Sequence, residues 1–297
     1  MDRVVKLRRR VGAAAVSAAK TGLKARVGRI QYVNCIPYFH GLQKNEPETE
    51  FYATFPAKIN GLMHRGKIDM APVSSLEYLR HQRDYILLPD LGIGARDFSG
   101  SVLLLSREKI EGLDGASIAL SRESLSSAVL LRILLKFKYK FDNRFVSMRS
   151  DPENMLARHK AALVIGDDAL FYRPEGFVYK YDLSELWWNW TGKPFCFALW
   201  AVRRDFAALR PEEAAAFAAR LRKNLNRNLA DIEGLIREAL GWTFTHEKFS
   251  KVFGYLFNLS YGVDPAMKEG LELFFRLAHR LRVAPRPRPI EFLETSK

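Results

Sequence analysis

Apolar positions along this chain follow two rhythms. From residue 27, short apolar runs of strand length alternate with stretches of helical period, and beyond residue 210 only the helical period remains. VGRIQYVN at 27–34 reads as a strand ending at Asn34, with Pro37 turning the chain soon after. Residues 56–66 offer Ile59, Leu62 and Met63 at helical spacing, Pro56 for a first turn and Gly66 for a stop. IDMAPV is a buried-type strand that runs into SSLEYLRH, where Ser74 and Glu77 have the spacing of a capping box. The same order recurs as strand ASIAL, polar SRESLSS and helix AVLLRILLKF at 116–137, and as strand AALVI, turn GDD and helix from 161. Three strand-to-helix junctions headed by Ser or Asp predict an α/β fold whose ligands collect at strand C-terminal ends.

The last third is almost purely helical. Pro211, Glu212 and Glu213 open a helix with apolar positions 214, 217, 218, 221, 225 and 229; Asp264 and Pro265 open another with 267, 271, 274, 275, 278 and 281 facing inward. Such a region covers an earlier α/β layer, which implies a discontinuous domain. SVLLLS at 101–106 and FCFALWAV at 195–202 bracket the middle unit and read as crossover strands between two lobes. The expected organisation is a basic extension over 1–26, a first lobe of 27–104 plus 200–293 with the helical region packed on it, and a second lobe of 105–199. A cleft between the lobes would face Asn34, the Ser74/Ser75 helix start, Ser101 and the Ser126/Ser127 helix start.

Composition narrows the function. With 297 residues, 48% hydrophobic and 27% charged, the chain has a globular balance, and no apolar run reaches membrane-spanning length. Cys35 and Cys196 stand alone without metal-type spacing, which fits a reducing, cytoplasmic setting without disulfides. The 47 Lys/Arg against 33 Asp/Glu give +14, and residues 1–26 hold +7 of it. The arm imitates a signal peptide, but its apolar part, VGAAAVSAA, lacks Leu and Phe and meets Lys20 at once. No aromatic-interleaved motif accompanies the basic clusters, so nucleic acid is not the expected partner.

Catalytic motifs are mostly missing. GLMHRGKI at 61–68 imitates a P-loop but ends in Ile, and GIGARD at 92–97 lacks the third glycine of a dinucleotide site. The six histidines show no metal-like spacing, so neither metal nor cofactor is expected. What remains is small polar residues at helix starts, whose N–H groups and partial positive charge suit a carboxylate. Two helix ends with four or five charge-assisted hydrogen bonds of ~1.5–3 kcal/mol each reach the ~8 kcal/mol of micromolar binding without an arginine clamp. For any one of Ser74, Ser126 or Asp167, capping alone is an adequate explanation; their joint placement around one cleft points to a small dianion.

Four blocks carry a family likeness: VGRIQYVNCIPYF at 27–39, KIDMAPVSSLEYL at 67–79, VIGDDAL at 164–170 and DLSELWWNWTGKPFCFALWA at 182–201. Together they resemble the chorismate dehydratases of the futalosine route to menaquinone, over roughly residues 27–293. The chain departs from the family pattern at Lys193, usually Leu, and at Ser184, usually Gly. The resemblance implies a type II periplasmic-binding-protein-like fold and a cytoplasmic lyase that takes chorismate to 3-[(1-carboxyvinyl)oxy]benzoate. It assigns Asn34 and Ser101 to the reacting end and Ser74, Ser75, Ser126 and Ser127 to the carboxylates, with Gly166 and Asp167 edging the cleft. None of these is a strong base, so the substrate's own enolpyruvyl carboxylate is the expected proton acceptor. Trp187, Trp188, Trp190 and Trp200 are expected mostly to pack between lobes, and the cysteines to pack as apolar residues. The sister enzyme, 1,4-dihydroxy-6-naphthoate synthase, and a non-enzymatic carboxylate-binding protein remain the alternatives.

Overall fold

The computed structural model describes residues 24–294 apart from Glu175 and Phe177, and among these the chain forms two α/β lobes. The first begins with β1 (Ala25–Ile30), the short helix α1 (Ile36–Phe39), β2 (Thr49–Thr54), α2 (Pro56–His64), β3 (Met70–Ser74), α3 (Ser75–Arg80) and β4 (Tyr85–Ala95). The second contains β5 (Val102–Ser106), β6 (Ser117–Ser121), α4 (Ser126–Ile133), β7 (Arg144–Met148), α5 (Pro152–Arg158), β8 (Ala161–Ile165), α6 (Gly166–Leu170), β9 (Tyr179–Asp182) and α7 (Leu183–Thr191). The chain then returns through β10 (Phe195–Arg203) and finishes with α8 (Arg204–Leu209), α9 (Pro211–Ala230), α10 (Ile232–Leu240), α11 (His246–Asn258), β11 (Leu259–Ser260) and α12 (Pro265–Arg280).

The two sheets share one scheme. The first is ordered β11-β4-β10-β3-β1-β2 and the second β7-β6-β8-β5-β9. In each, three parallel strands are followed by one antiparallel strand, β10 or β5, and then by a strand antiparallel to that one. The parallel strands therefore point their C-terminal ends, and the helices after them, at the opposite lobe.

The lobe boundaries differ from those expected. β5 pairs only within the second sheet and β10 only within the first, so neither is a crossover strand. The chain crosses at 96–101 and again at 192–194, and boundaries at 104 and 199 would cut through paired strands, leaving backbone groups without partners. The N-terminal boundary also shifts. Ala25 and Arg26 are paired with β2, and the Arg26 guanidinium holds Asp69 at 2.5 Å, so any extension ends before them; residues 1–23 lie outside the described part. β2 and β4 were not read from the sequence. β2 has only half-buried and exposed positions at the sheet edge, and Pro89 and two glycines interrupt the apolar pattern of β4.

The helical third packs as its periodicity predicts. Ala214, Phe217, Ala218, Leu221 and Leu225 of α9 are buried, as are Met267, Leu271, Phe274, Phe275 and Ala278 of α12. α9 lies on α1, while α12 covers β10 and α3 and also reaches α4 of the second lobe. Trp187 and Trp200 are fully buried. Lys193 pairs with Glu269 of α12 at 2.6 Å, so this departure from the family pattern is an ion pair beside the second crossing.

α12 meets that crossing backbone to backbone. A Cβ on Gly270 would stand 2.0 Å from the Pro194 carbonyl oxygen, whereas one on Gly254 of α11 would meet nothing within 4 Å. Gly270→Ala is expected to destabilise the fold by about 1–3 kcal/mol or more through overpacking. Gly254→Ala is expected to stabilise it by about 0.5–1 kcal/mol. Urea unfolding midpoints measure both, and equal midpoints would mean that α12 does not seat on the crossing in this way.

Candidate functional site

Between the lobes lies a cleft that is partly open to solvent. Asn34, Ser74, Ser101, Ser126, Ser127 and Gly166 all line it, joined by Tyr32, Cys35, Glu123 and Tyr255. Six of the eight sequence-assigned residues thus meet in one cavity. Ser75 and Asp167 do not line it.

Each crossing residue is held by identifiable bonds. Asp182 ends β9, is buried, and accepts at one oxygen from Ser99 N–H at 3.2 Å, Ser99 Oγ at 2.8 Å and Gly100 N–H at 2.7 Å. Its other oxygen caps α7 through Ser184 and Glu185 N–H. This fixes Ser101, whose carbonyl accepts from Gly166 N–H at 2.8 Å and whose hydroxyl donates to the Tyr255 hydroxyl at 2.8 Å. Asn34 sits on the turn after β1, against which α11 packs, and its side chain reaches the same Tyr255 hydroxyl. The Asn34 Oδ1 is buried without a protein hydrogen-bond partner. Burial holds the Tyr255 phenol far above its ordinary range, so it stays a proton donor rather than becoming a phenolate.

The helix starts behave differently from one another. Ser74 caps α3 by accepting from Glu77 N–H at 3.3 Å, but the second half of the expected capping box is missing because Ser74 N–H donates instead to Asn60 Oδ1 at 3.2 Å. Ser75 does not line the cleft, and its buried hydroxyl donates to the Cys196 carbonyl at 2.6 Å. Ser126 does not cap its own helix. Its Oγ accepts Leu76 N–H at 2.9 Å, so a side chain of one lobe caps the helix of the other. The start of α4 has no side-chain cap, and its first-turn N–H groups stand at the cleft between Ser126 and Ser127. α6 is no anion site, since Asp167 and Asp168 occupy its first turn.

Asp167 does not line the cleft either and forms a bridge between the lobes. It accepts Val33 N–H across the lobes at 3.1 Å. Tyr32 crosses too, donating to Glu123. Gly166 permits this approach: its φ is +63°, and a Cβ there would lie 2.8 Å from the Tyr32 ring. Among the described lining residues there is no Lys, Arg or His, so an anion in this cleft meets hydroxyls, amides and a helix end.

This architecture can be placed among known proteins. A family model described as menaquinone biosynthesis matches residues 25–280. The chain belongs to that menaquinone-biosynthesis family. It is 31% identical over 264 residues to the chorismate dehydratase of Thermus thermophilus, an alignment covering 84% of this chain and 93% of that one. A solved protein from Archaeoglobus fulgidus superposes with TM-score 0.69 at 17% identity, covering 89% of this chain and 99% of that one. The periplasmic aliphatic sulphonate-binding protein of Escherichia coli does so with TM-score 0.61 at 14% identity, over 90% and 95%. The fold of this menaquinone-biosynthesis family member is therefore periplasmic-binding-protein-like, and among its described residues no helix is long and apolar enough to cross a membrane.

Tyr255, Tyr32 and Glu123 were not found by sequence reasoning. Tyr255 follows Val252 on an apolar helical stripe and looks like any core aromatic; only the packing of α11 on the turn at Val33–Cys35 brings its hydroxyl to the site.

Burial first, then the neighbouring Asp168, raises Asp167 from 3.8 to about 6, against the Val33 hydrogen bond that lowers it. A carboxyl raised in the folded state contributes stability that is complete below its unfolded pKa and is lost as pH rises through about 6. Asp167→Asn keeps an acceptor for Val33 without that loss. Its stability relative to the parent is expected to rise by about 2 kcal/mol between pH 4 and pH 7. Urea unfolding across that window measures the difference, and a constant difference would exclude the buried bridge.

Proposed function

We propose that this protein is a chorismate dehydratase, a hydro-lyase of menaquinone biosynthesis acting in the cytoplasm on a dianionic small molecule. The observation that carries the reading is the convergence of Asn34, Ser101 and Tyr255 on one cleft beside the open start of α4, in a chain 31% identical to a chorismate dehydratase.

In the proposed reaction the C3–H bond breaks, its electrons become the C3=C4 bond, and the C4 hydroxyl leaves with the proton as water. Aromatisation supplies the driving force. One carboxylate sits at the first-turn N–H groups of α4 and the Ser127 hydroxyl, where neutral donors in a sheltered site stabilise it without proton exchange. The Asn34 amide takes the substrate as its missing partner. Ser101 turns its hydroxyl from Tyr255 to the departing C4 oxygen, and the Tyr255 proton then hydrogen-bonds Ser101 in turn. The substrate's enolpyruvyl carboxylate, held over C3, accepts the proton and passes it to the departing hydroxyl, which leaves as water. Glu123 is the one carboxylate among the described lining residues, and it is engaged by Tyr32 at the cleft wall.

Chorismate turnover, followed by the appearance of the aromatic product, tests these roles. Asn34→Leu and Ser101→Ala are expected to lower kcat/KM by about 100-fold or more, the loss typical of one oriented donor in a dry site. Tyr255→Phe, acting through Ser101, is expected to lose about 10-fold, mainly in kcat. Glu123→Gln is expected to stay within about 10-fold, whereas a protein general base contributes about 100- to 10,000-fold. Turnover within a few-fold of the parent in both Asn34→Leu and Ser101→Ala would remove the assignment, and no aromatic product from the parent would remove the function.

A further inference from the structure

The N-terminal end of α3 belongs to the cleft, but its C-terminal end carries a separate cluster. There His81 follows Glu77 by one helical turn, and His64, the last residue of α2, packs against both. One ligand-type atom from each of the three lies within 4.8 Å of the others. His81 Nε2 stands 3.6 Å from Glu77 Oε1. The His64 and His81 rings are 4.1 Å apart between centroids, inclined at 39°.

The surroundings orient these groups. His81 Nδ1 faces Asp84 Oδ2 and Nε2 faces Glu77 Oε1, each at 3.6 Å, so the ring lies between two carboxylates. Glu77 Oε1 is further fixed by the Tyr85 hydroxyl at 3.2 Å. Carboxylate, imidazole and outer carboxylate in that order are the arrangement that holds metal-binding histidines in place.

We propose that His64, Glu77 and His81 form a site for a divalent first-row transition ion of the zinc class. Ligand bonds of about 2.0–2.2 Å in tetrahedral geometry put neighbouring donor atoms about 3.3–3.6 Å apart. The Glu77–His81 pair already has that spacing, and the exposed His64 needs only a small movement to close the set. Two imidazoles and one carboxylate suit zinc or cobalt(II) rather than magnesium or calcium, which prefer all-oxygen shells. The fourth position, on the exposed His64 side, is water's. Bound there, the ion joins α2 to α3, the two helices whose Asn60–Ser74 hydrogen bonds shape the cleft wall. The inference rests on the fold and not on the reaction.

The test uses the purified full chain titrated at neutral pH with zinc by calorimetry and with cobalt(II) by its visible tetrahedral bands. The expected result is saturation at one equivalent and a thermal midpoint about 5 °C higher at a hundredfold excess over Kd. His64→Asn and His81→Gln should each weaken binding at least about 10-fold. Asp84→Asn, which reaches the ion only through His81, should weaken it about 10- to 100-fold. His246→Gln, an exposed histidine elsewhere, should leave it unchanged. Absence of saturable binding, or parental affinity in the His64→Asn/His81→Gln double variant, would overturn the site.

Discussion

The buried carboxylate of Asp182 organises both passages between the lobes. It collects five donors: Ser99 through N–H and hydroxyl, Gly100, and the first turn of α7. Burial works against its charge and holds the carboxyl above its ordinary range, and these hydrogen bonds offset part of that cost. One side of the carboxylate holds the segment running into the second lobe; the other starts the helix whose end leads back out. Ser101 is therefore placed by a rigid neighbour, and through its carbonyl it places Gly166. Removing the carboxylate would leave buried N–H groups orphaned on both passages at once.

With the crossings fixed, the identical strand order of the two sheets does the rest. Each lobe aims the ends of its parallel strands across the gap, so unpaired helix-start N–H groups confront one another there. The molecule satisfies some of them across the seam, Leu76 with Ser126 and Val33 with Asp167, and leaves the start of α4 for a ligand. Holding the lobes together and binding an anion are thus the same chemistry applied to neighbouring N–H groups. A ligand in the cleft adds bonds of the kind that already bridge it.

How much of this was legible depended on range. The strand-to-helix junctions at Ser74, Ser126 and Gly166 follow from local rhythm, and most of the expected stripe positions of α9 and α12 are buried, while Leu229 and Leu281 at their C-terminal ends are only half-buried. β4 escaped because Pro89, Gly92 and Gly94 break the apolar run, though the strand needs those glycines: a Cβ on Gly94 would meet the Phe195 carbonyl oxygen at 2.7 Å. The contacts of Ser75 and Asp167 were out of reach for another reason. Sequence shows which residues stand at a helix start but not which way a hydroxyl or carboxylate turns, and these two turn toward Cys196 and Val33. Tyr255 and the His64, Glu77 and His81 group lay beyond reach because their partners come from distant segments, and no spacing rule relates His64 to α3.

The charge of the chain also takes on a different sense. A protein of net charge +14 suggests basic recognition, yet the described wall of the cleft has no cation. For an elimination this is a chemical advantage on the proposed reading. A lysine or arginine against the enolpyruvyl carboxylate would lower its basicity and hold it in an ion pair, away from C3. Hydroxyls, an amide and helix N–H groups orient the dianion while leaving that carboxylate basic enough to take a proton. Long-range attraction by the basic body and short-range neutrality at the site then serve successive steps, capture and reaction, and each would suffer if the charges were moved into the cleft.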